Sequence, residues 1–133
     1  VPERLAVVGV CGGEPVGKEA RAAIDAASLV AGAPRHLRTL APLCARTLEI
    51  DGALPDVLDA LQREQLSVCV LASGDPGFFG IVRVLAERFG SQRLDVYPAP
   101  SSVSLAFARL GLAWDDAAVV SAHGRPLAEA ARR

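Results

Sequence analysis

The sequence predicts an α/β domain: a mostly parallel, twisted sheet with helices on both faces. Three observations carry this expectation. Short apolar runs such as Leu5–Val10 and Leu66–Ala72 end at glycine or serine, as strands buried on both faces do. Stretches with apolar residues at helical spacing lie between them. The two kinds of segment alternate, which calls for right-handed crossovers between parallel strands.

Leu5-Ala6-Val7-Val8-Gly9-Val10 is the first strand, central by its composition. A loop from Cys11 to Gly17 leads to a helix over Lys18–Ala27. There Ala20, Ala23, Ile24 and Ala27 share a face, and Glu19, Arg21 and Asp25 remain for solvent. Ser28–Ala31 reads as a second strand, closed by Gly32 and Pro34. After a less regular middle, Pro55 opens a helix with Val57, Leu58 and Leu61 on one side. Leu66–Ala72 is expected to be the most buried strand, followed by the loop Ser73–Gly80. Ile81, Val84, Leu85 and Phe89 mark a helix that Gly90 ends, and Leu94–Tyr97 is a further strand. Pro98-Ala99-Pro100 precedes a helix over Val103–Leu110, and Ala117–Ser121 is expected to be the last strand. No repeat or low-complexity linker divides the 133 residues, so one domain is expected.

Composition narrows the function classes. The net charge of −1, from 14 basic and 15 acidic residues, sets up no field to attract a phosphate polymer or an anionic membrane, so nucleic acid and membrane partners are not expected. No apolar stretch approaches the roughly 18 residues of a membrane span. The amino end lacks the order of charged, apolar and cleavage regions of a signal peptide, and a cytoplasmic location is expected. Cys11, Cys44 and Cys69 are odd in number and form no CxxC pair, which argues against a disulfide framework or a zinc site. Cys69, inside an apolar run, reads as a small core residue.

In open α/β sheets ligands bind beyond the carboxyl ends of the strands, and three unusual loops fall there: Cys11–Gly17, Ser73–Gly80 and Pro98–Ser102. In Ser73-Gly74-Asp75-Pro76-Gly77-Phe78-Phe79-Gly80 the glycines permit close backbone approach. Asp75 can accept hydrogen bonds, and Phe78 and Phe79 can wall an apolar group; a simple Asp-Pro-Gly turn with both rings in the core is the alternative. Ser101 or Ser102 suits a helix N-cap, which needs no further function. Gly9, Gly12, Gly13 and Gly17 do not spell GxGxxG, and neither a P-loop nor a GxSxG elbow is present. Arg35-His36-Leu37-Arg38 and His123-Gly124-Arg125 form two short basic clusters. Facing one cleft, their guanidinium groups would suit a polycarboxylate; solvated charge and hydrogen-bonded structural histidines explain them equally well.

Taken in order, the Val8-Gly9-Val10 strand with its glycine loop, Gly32-Ala33-Pro34-Arg35-His36-Leu37, Leu71 to Gly80, Pro98 to Ser104, and Ser121-Ala122-His123-Gly124-Arg125-Pro126 resemble the tetrapyrrole (corrin/porphyrin) methylase family. The RHL, PAPSS and HGRP segments resemble its C5-methylating subgroup, which acts on precorrin or cobalt-precorrin rings in cobalamin biosynthesis. Cys11 stands where that family commonly has a second glycine, and Phe79 where a tyrosine is frequent.

The resemblance implies a two-domain enzyme that binds S-adenosylmethionine between its domains, residues 1–133 supplying the first and lacking the second. Alone, the chain is expected to fold but to turn over little. The resemblance further implies donor contacts from Ser73, Gly74, Asp75, Phe78, Ser101 and Ser102, and tetrapyrrole contacts from Gly9, Arg35, His36 and Arg125. His123 is the candidate base for a ring proton, with a structural role as the alternative. A homo-oligomer and a C15-methylating, decarboxylating partner domain are compatible with this reading, and no metal is implied. Methylases of the same fold acting on uroporphyrinogen, diphthine or ribosomal RNA, and a non-catalytic remnant or oligomerisation domain, are the rival readings.

Overall fold

A computed structural model describes residues 1–132. The chain forms two compact units, Val1–Ser102 and Val103–Arg133. In the first, the elements follow as β1 (Leu5–Cys11), β2 (Glu14–Pro15), α1 (Lys18–Asp25), β3 (Leu29–Gly32), α2 (Pro34–Leu40), β4 (Arg46–Glu49), α3 (Leu54–Arg63), β5 (Val68–Ser73), α4 (Val82–Phe89), a 3-10 turn (Ser91–Arg93) and β6 (Leu94–Tyr97).

Five strands run parallel in the order β6-β1-β5-β3-β4. β5 pairs with β1 from Leu5↔Val68 to Val10↔Ser73. The other edge of β1 is shared by β6 at Leu5–Val8 and by the antiparallel β2 at Val10 and Cys11. Period-two alternation assigns each side chain to a face. Leu5, Val7, Leu29, Ala31, Val68 and Val70 point to one side, where α3 and α4 cover them with Val57, Leu58, Leu61, Leu85 and Phe89. Val8, Val10, Val30, Cys69 and Leu71 point to the other, under Ala20 and Ile24 of α1 and Leu37 and Leu40 of α2. The sheet is thus covered on both faces, as expected. Cys69 is fully buried, and desolvation pushes its thiol up to about 12, which makes it an inert core residue.

Two elements of the less regular middle are additions. α2 starts on Pro34 at its first turn, a position that suits the fixed φ of proline, and buries His36, Leu37 and Leu40. β4 extends the sheet beyond β3. The loop after β1 is a tight hairpin: Cys11 pairs with Glu14 across Gly12 and Gly13, whose φ angles of 61° and 82° are the positive values a two-residue hairpin demands. Leu66 stays exposed, so the fifth strand begins two residues later than expected.

The second unit contains most of α5 (Ser102–Leu110) and the short α6 (Leu127–Ala131). Phe107 and Trp114 stack at 5.6 Å and 7°. The strand expected over Ala117–Ser121 is not formed: these residues are irregular and mostly exposed. A strand exists only through its ladder, and no segment pairs with this one among the described residues. No helix of the described residues is long and apolar enough to cross a membrane.

Candidate functional site

The parallel order places the ends of β6, β1 and β5 side by side, and the loops leaving β6 and β5 meet over one residue of β1, Gly9. A Cβ on Gly9 would lie 2.5 Å from the Gly74 carbonyl oxygen, 2.8 Å from Ala99 Cβ and 2.9 Å from Pro76 Cδ. Only glycine lets the Ser73–Gly80 and Pro98–Ser102 loops close down on the sheet. Gly9 is buried beneath both.

The β5 loop is held by its own backbone and by one carboxylate. The Gly74 N–H donates to the Val10 carbonyl at 2.8 Å, extending the β1–β5 ladder by one rung. Asp75 Oδ1 accepts the Gly77 N–H at 2.9 Å, and its carbonyl accepts the Phe78 N–H at 3.2 Å, which together make an Asx turn. The Pro76 carbonyl accepts the Val82 N–H at 3.1 Å and ties the loop to α4. Asp75 therefore shapes the loop with one oxygen at the least. Phe78, half-buried, packs edge-on against Phe79 with centroids 4.8 Å apart. Phe79 has φ 51° and is 63% exposed, the one non-glycine residue of the described chain in the left-handed region.

Gly74, at φ 70°, faces the second loop: a Cβ there would come to 3.6 Å from the Pro100 carbonyl and 3.7 Å from Ser101 Cα. Ser101 stands just ahead of α5 and Ser102 is its first residue.

The third wall comes from α2, which follows β3 after a single residue, Ala33. Arg35 Nη2 donates to Ser73 Oγ at 2.8 Å, and His36 Nε2 lies 2.8 Å from the same oxygen. Ser73 and Arg35 are exposed, whereas His36 is buried. Burial first, and the Arg35 charge second, hold its imidazole below the usual histidine range, which favours the neutral ring. Arg35 and His36, expected on the substrate side, and Ser73, expected on the donor side, are thus one hydrogen-bonded cluster.

His123 and Arg125 lie in the second unit, in a turn where the His123 N–H donates to Ser121 Oγ at 3.2 Å and the Arg125 N–H to the Ala122 carbonyl at 3.2 Å. Sequence reasoning passed over two contributors, Pro76 and Ala99, both buried against Gly9. Their signal was faint: one small residue between two prolines, and one proline in an apparent turn.

Residues 4–133 match the tetrapyrrole (corrin/porphyrin) methylases. The chain is 42% identical to the precorrin-6Y C(5,15)-methyltransferase (decarboxylating) of Sinorhizobium sp, over 92% of this chain and 31% of that protein. It is 38% identical to the cobalt-precorrin-7 C(5)-methyltransferase of Salmonella typhimurium, over 77% and 52%. The chain therefore spans about a third to a half of the length of these relatives. The crystal structure of a cobalamin biosynthesis precorrin-6Y methylase from Archaeoglobus fulgidus superposes with a TM-score of 0.69 at 30% identity, over 91% of this chain and 65% of that one. Uroporphyrin-III-C-methyltransferase from Thermus thermophilus shares the fold, with a TM-score of 0.63 at 23% identity over 94% of this chain and 64% of that one.

Proposed function

The chain belongs to the tetrapyrrole (corrin/porphyrin) methylase family, and from that premise we propose that it forms the N-terminal domain of a cytoplasmic S-adenosylmethionine-dependent C-methyltransferase. Its substrate is a precorrin or cobalt-precorrin ring on the way to cobalamin. The observation that supports this most is the meeting of the β5 and β6 loops over Gly9. Gly74, at φ 70°, holds a backbone conformation that side chains rarely adopt and brings the first loop to Pro100 and Ser101 of the second, an approach of backbone and small polar groups that suits a ligand that is part amino acid and part nucleoside.

When bound, S-adenosylmethionine supplies an electrophilic methyl group on its sulfonium. In this reading Ser73, Gly74, Asp75, Phe78, Ser101 and Ser102 hold the donor. Arg35 and Arg125 offer guanidinium groups to the carboxylates of the macrocycle. His123 takes the ring proton in the same proposal. The domain's main contribution is position, because alignment of two reactants can be worth about 7 to 11 kcal/mol. A second domain completes the cleft, and a C15-methylating, decarboxylating domain or a second copy of the chain are the associations that fit this reading.

The test is label transfer from methyl-labelled S-adenosylmethionine by the natural full-length protein. Label in a precorrin or cobalt-precorrin is the expected result. Transfer to uroporphyrinogen alone, or none to any tetrapyrrole, would overturn the proposal.

A further inference from the structure

Ser73 is the last residue of β5 and the first of the loop, exposed to solvent, with a buried histidine and an exposed arginine both on its hydroxyl. A serine hydroxyl has one hydrogen and two lone pairs, and an arginine can only donate. Arg35 therefore occupies one lone pair. Its charge also turns the hydroxyl dipole so that the hydrogen points away from the guanidinium. The group waiting on that side is His36 Nε2, and a neutral imidazole with its proton on Nδ1 offers a lone pair there.

We infer that Arg35 and His36 are positioning residues that lock Ser73 as a hydrogen-bond acceptor, with its remaining lone pair turned to an N–H or O–H of the methyl donor. This rests on the function proposed above and revises it at one point, moving Arg35 and His36 from the substrate to the donor side of the cleft. The fold makes the arrangement economical. β3 and β5 are adjacent and parallel, and α2 begins two residues after β3, so its first turn lands beside the end of β5. Leu37 and Leu40 anchor the helix in the core, which fixes the imidazole behind the hydroxyl. Arg35 is the charged group acting on the ring, and both neighbouring strands present apolar side chains along their paired lengths. A protonated His36 would give Ser73 two cationic donors and no acceptor for its hydrogen, so the neutral ring is the working form.

The test uses the natural full-length protein and calorimetric binding of S-adenosylmethionine. Losing one such hydrogen bond is expected to weaken the donor about three- to tenfold in both Ser73→Ala and His36→Leu. His36→Gln, which returns an acceptor near the Nε2 position, should restore affinity to within about twofold of the parent. The double variant Ser73→Ala/His36→Leu should bind no worse than Ser73→Ala alone, because the two residues act through one hydroxyl. Additive losses, or failure of the Gln variant to rescue, would overturn the inference. A ligand-free readout separates it from the parent reading: imidazole nitrogen NMR should show Nε2 unprotonated at neutral pH and shifted by Ser73→Ala. An Nε2–H would refute the lock even if the donor binds, whereas a confirmed lock with no donor binding would refute the proposed function instead.

Discussion

At the amino ends of the strands, side chains bind one another. Arg4, just ahead of β1, pairs through Nε and Nη2 with both oxygens of Asp95 on β6. Ser67, ahead of β5, accepts the Ser28 N–H at 3.1 Å and donates to the Ala26 carbonyl at 3.0 Å, and Arg46 at the start of β4 meets Glu64 after α3. At the carboxyl ends the contacts are of another kind. Besides the Arg21–Glu14 ion pair beside the hairpin, loops meet there, glycine permits their approach, and the polar cluster Arg35-His36-Ser73 opens onto solvent. One end closes the sheet with groups that satisfy each other; the other leaves an exposed hydroxyl and backbone groups able to satisfy a ligand. In parallel sheets ligands bind beyond the carboxyl ends of the strands, and the two ends of this sheet differ in the groups they leave open.

The largest effect should come from Gly9→Ala. Its Cβ meets a carbonyl oxygen at 2.5 Å, and overpacking of this sort costs about 1–3 kcal/mol. A lowered thermal midpoint together with lost S-adenosylmethionine binding is expected; binding and stability close to the parent's would break the floor assigned to Gly9. Next stands Asp75→Ala, which removes the acceptor of the Gly77 N–H and loosens the loop. Donor affinity should fall about 5- to 150-fold, the equivalent of about 1–3 kcal/mol. Unchanged affinity by calorimetry would take Asp75 out of the site.

Smaller effects separate the ends more sharply. Ser67→Ala at the amino end should lower stability by about 0.5–1.5 kcal/mol in denaturant titration and leave donor affinity unaltered. A loss of affinity there would contradict the division of labour. The pH response should differ as well. The His36 imidazole is held below its unfolded value, so the folded protein binds fewer protons than the unfolded chain between the two values. Its contribution is whole above about pH 6.5 and is lost as pH falls through that value toward the folded one. Asp95, held below the usual carboxylate range by its hydrogen bond to Arg4, contributes above the unfolded carboxylate value and loses that only as pH falls through the lower folded one. Denaturant midpoints between pH 5 and pH 7.5 should slope in the parent and flatten in His36→Gln; equal slopes would assign the response to another group.

The sequence made the two layers of helix and the buried strands readable because their periods differ and each run is strongly apolar. It was less informative where local pattern and tertiary context diverge. The RHL segment reads as a basic cluster, yet His36, Leu37 and Leu40 are the buried side of a short helix that Pro34 starts. Ala117–Ser121 has strand composition without a ladder to join. Of the candidate residues, the Ser73–Gly80 loop stands out as a Gly/Pro segment after a strand, whereas the donor roles of Ser73, Gly74 and Asp75 rest on the family resemblance. The bond from Arg35 and His36 to Ser73 spans 38 and 37 residues and follows from strand order, which composition does not encode. Gly9 was noticed as a glycine, but its purpose depends on Pro76 and Ala99, two unremarkable residues in other loops.

The central claim, that the carboxyl end of this sheet receives the methyl donor, is tested most directly by titrating S-adenosylmethionine into the isotope-labelled, natural full-length protein and following its backbone amides. The account predicts shifts concentrated at residues 73–80 and in the non-proline residues of 98–102, with Arg35 and His36 following through Ser73. Shifts centred on Glu3, Arg4 and residues 65–67 at the opposite end, or none at saturating donor, would contradict it.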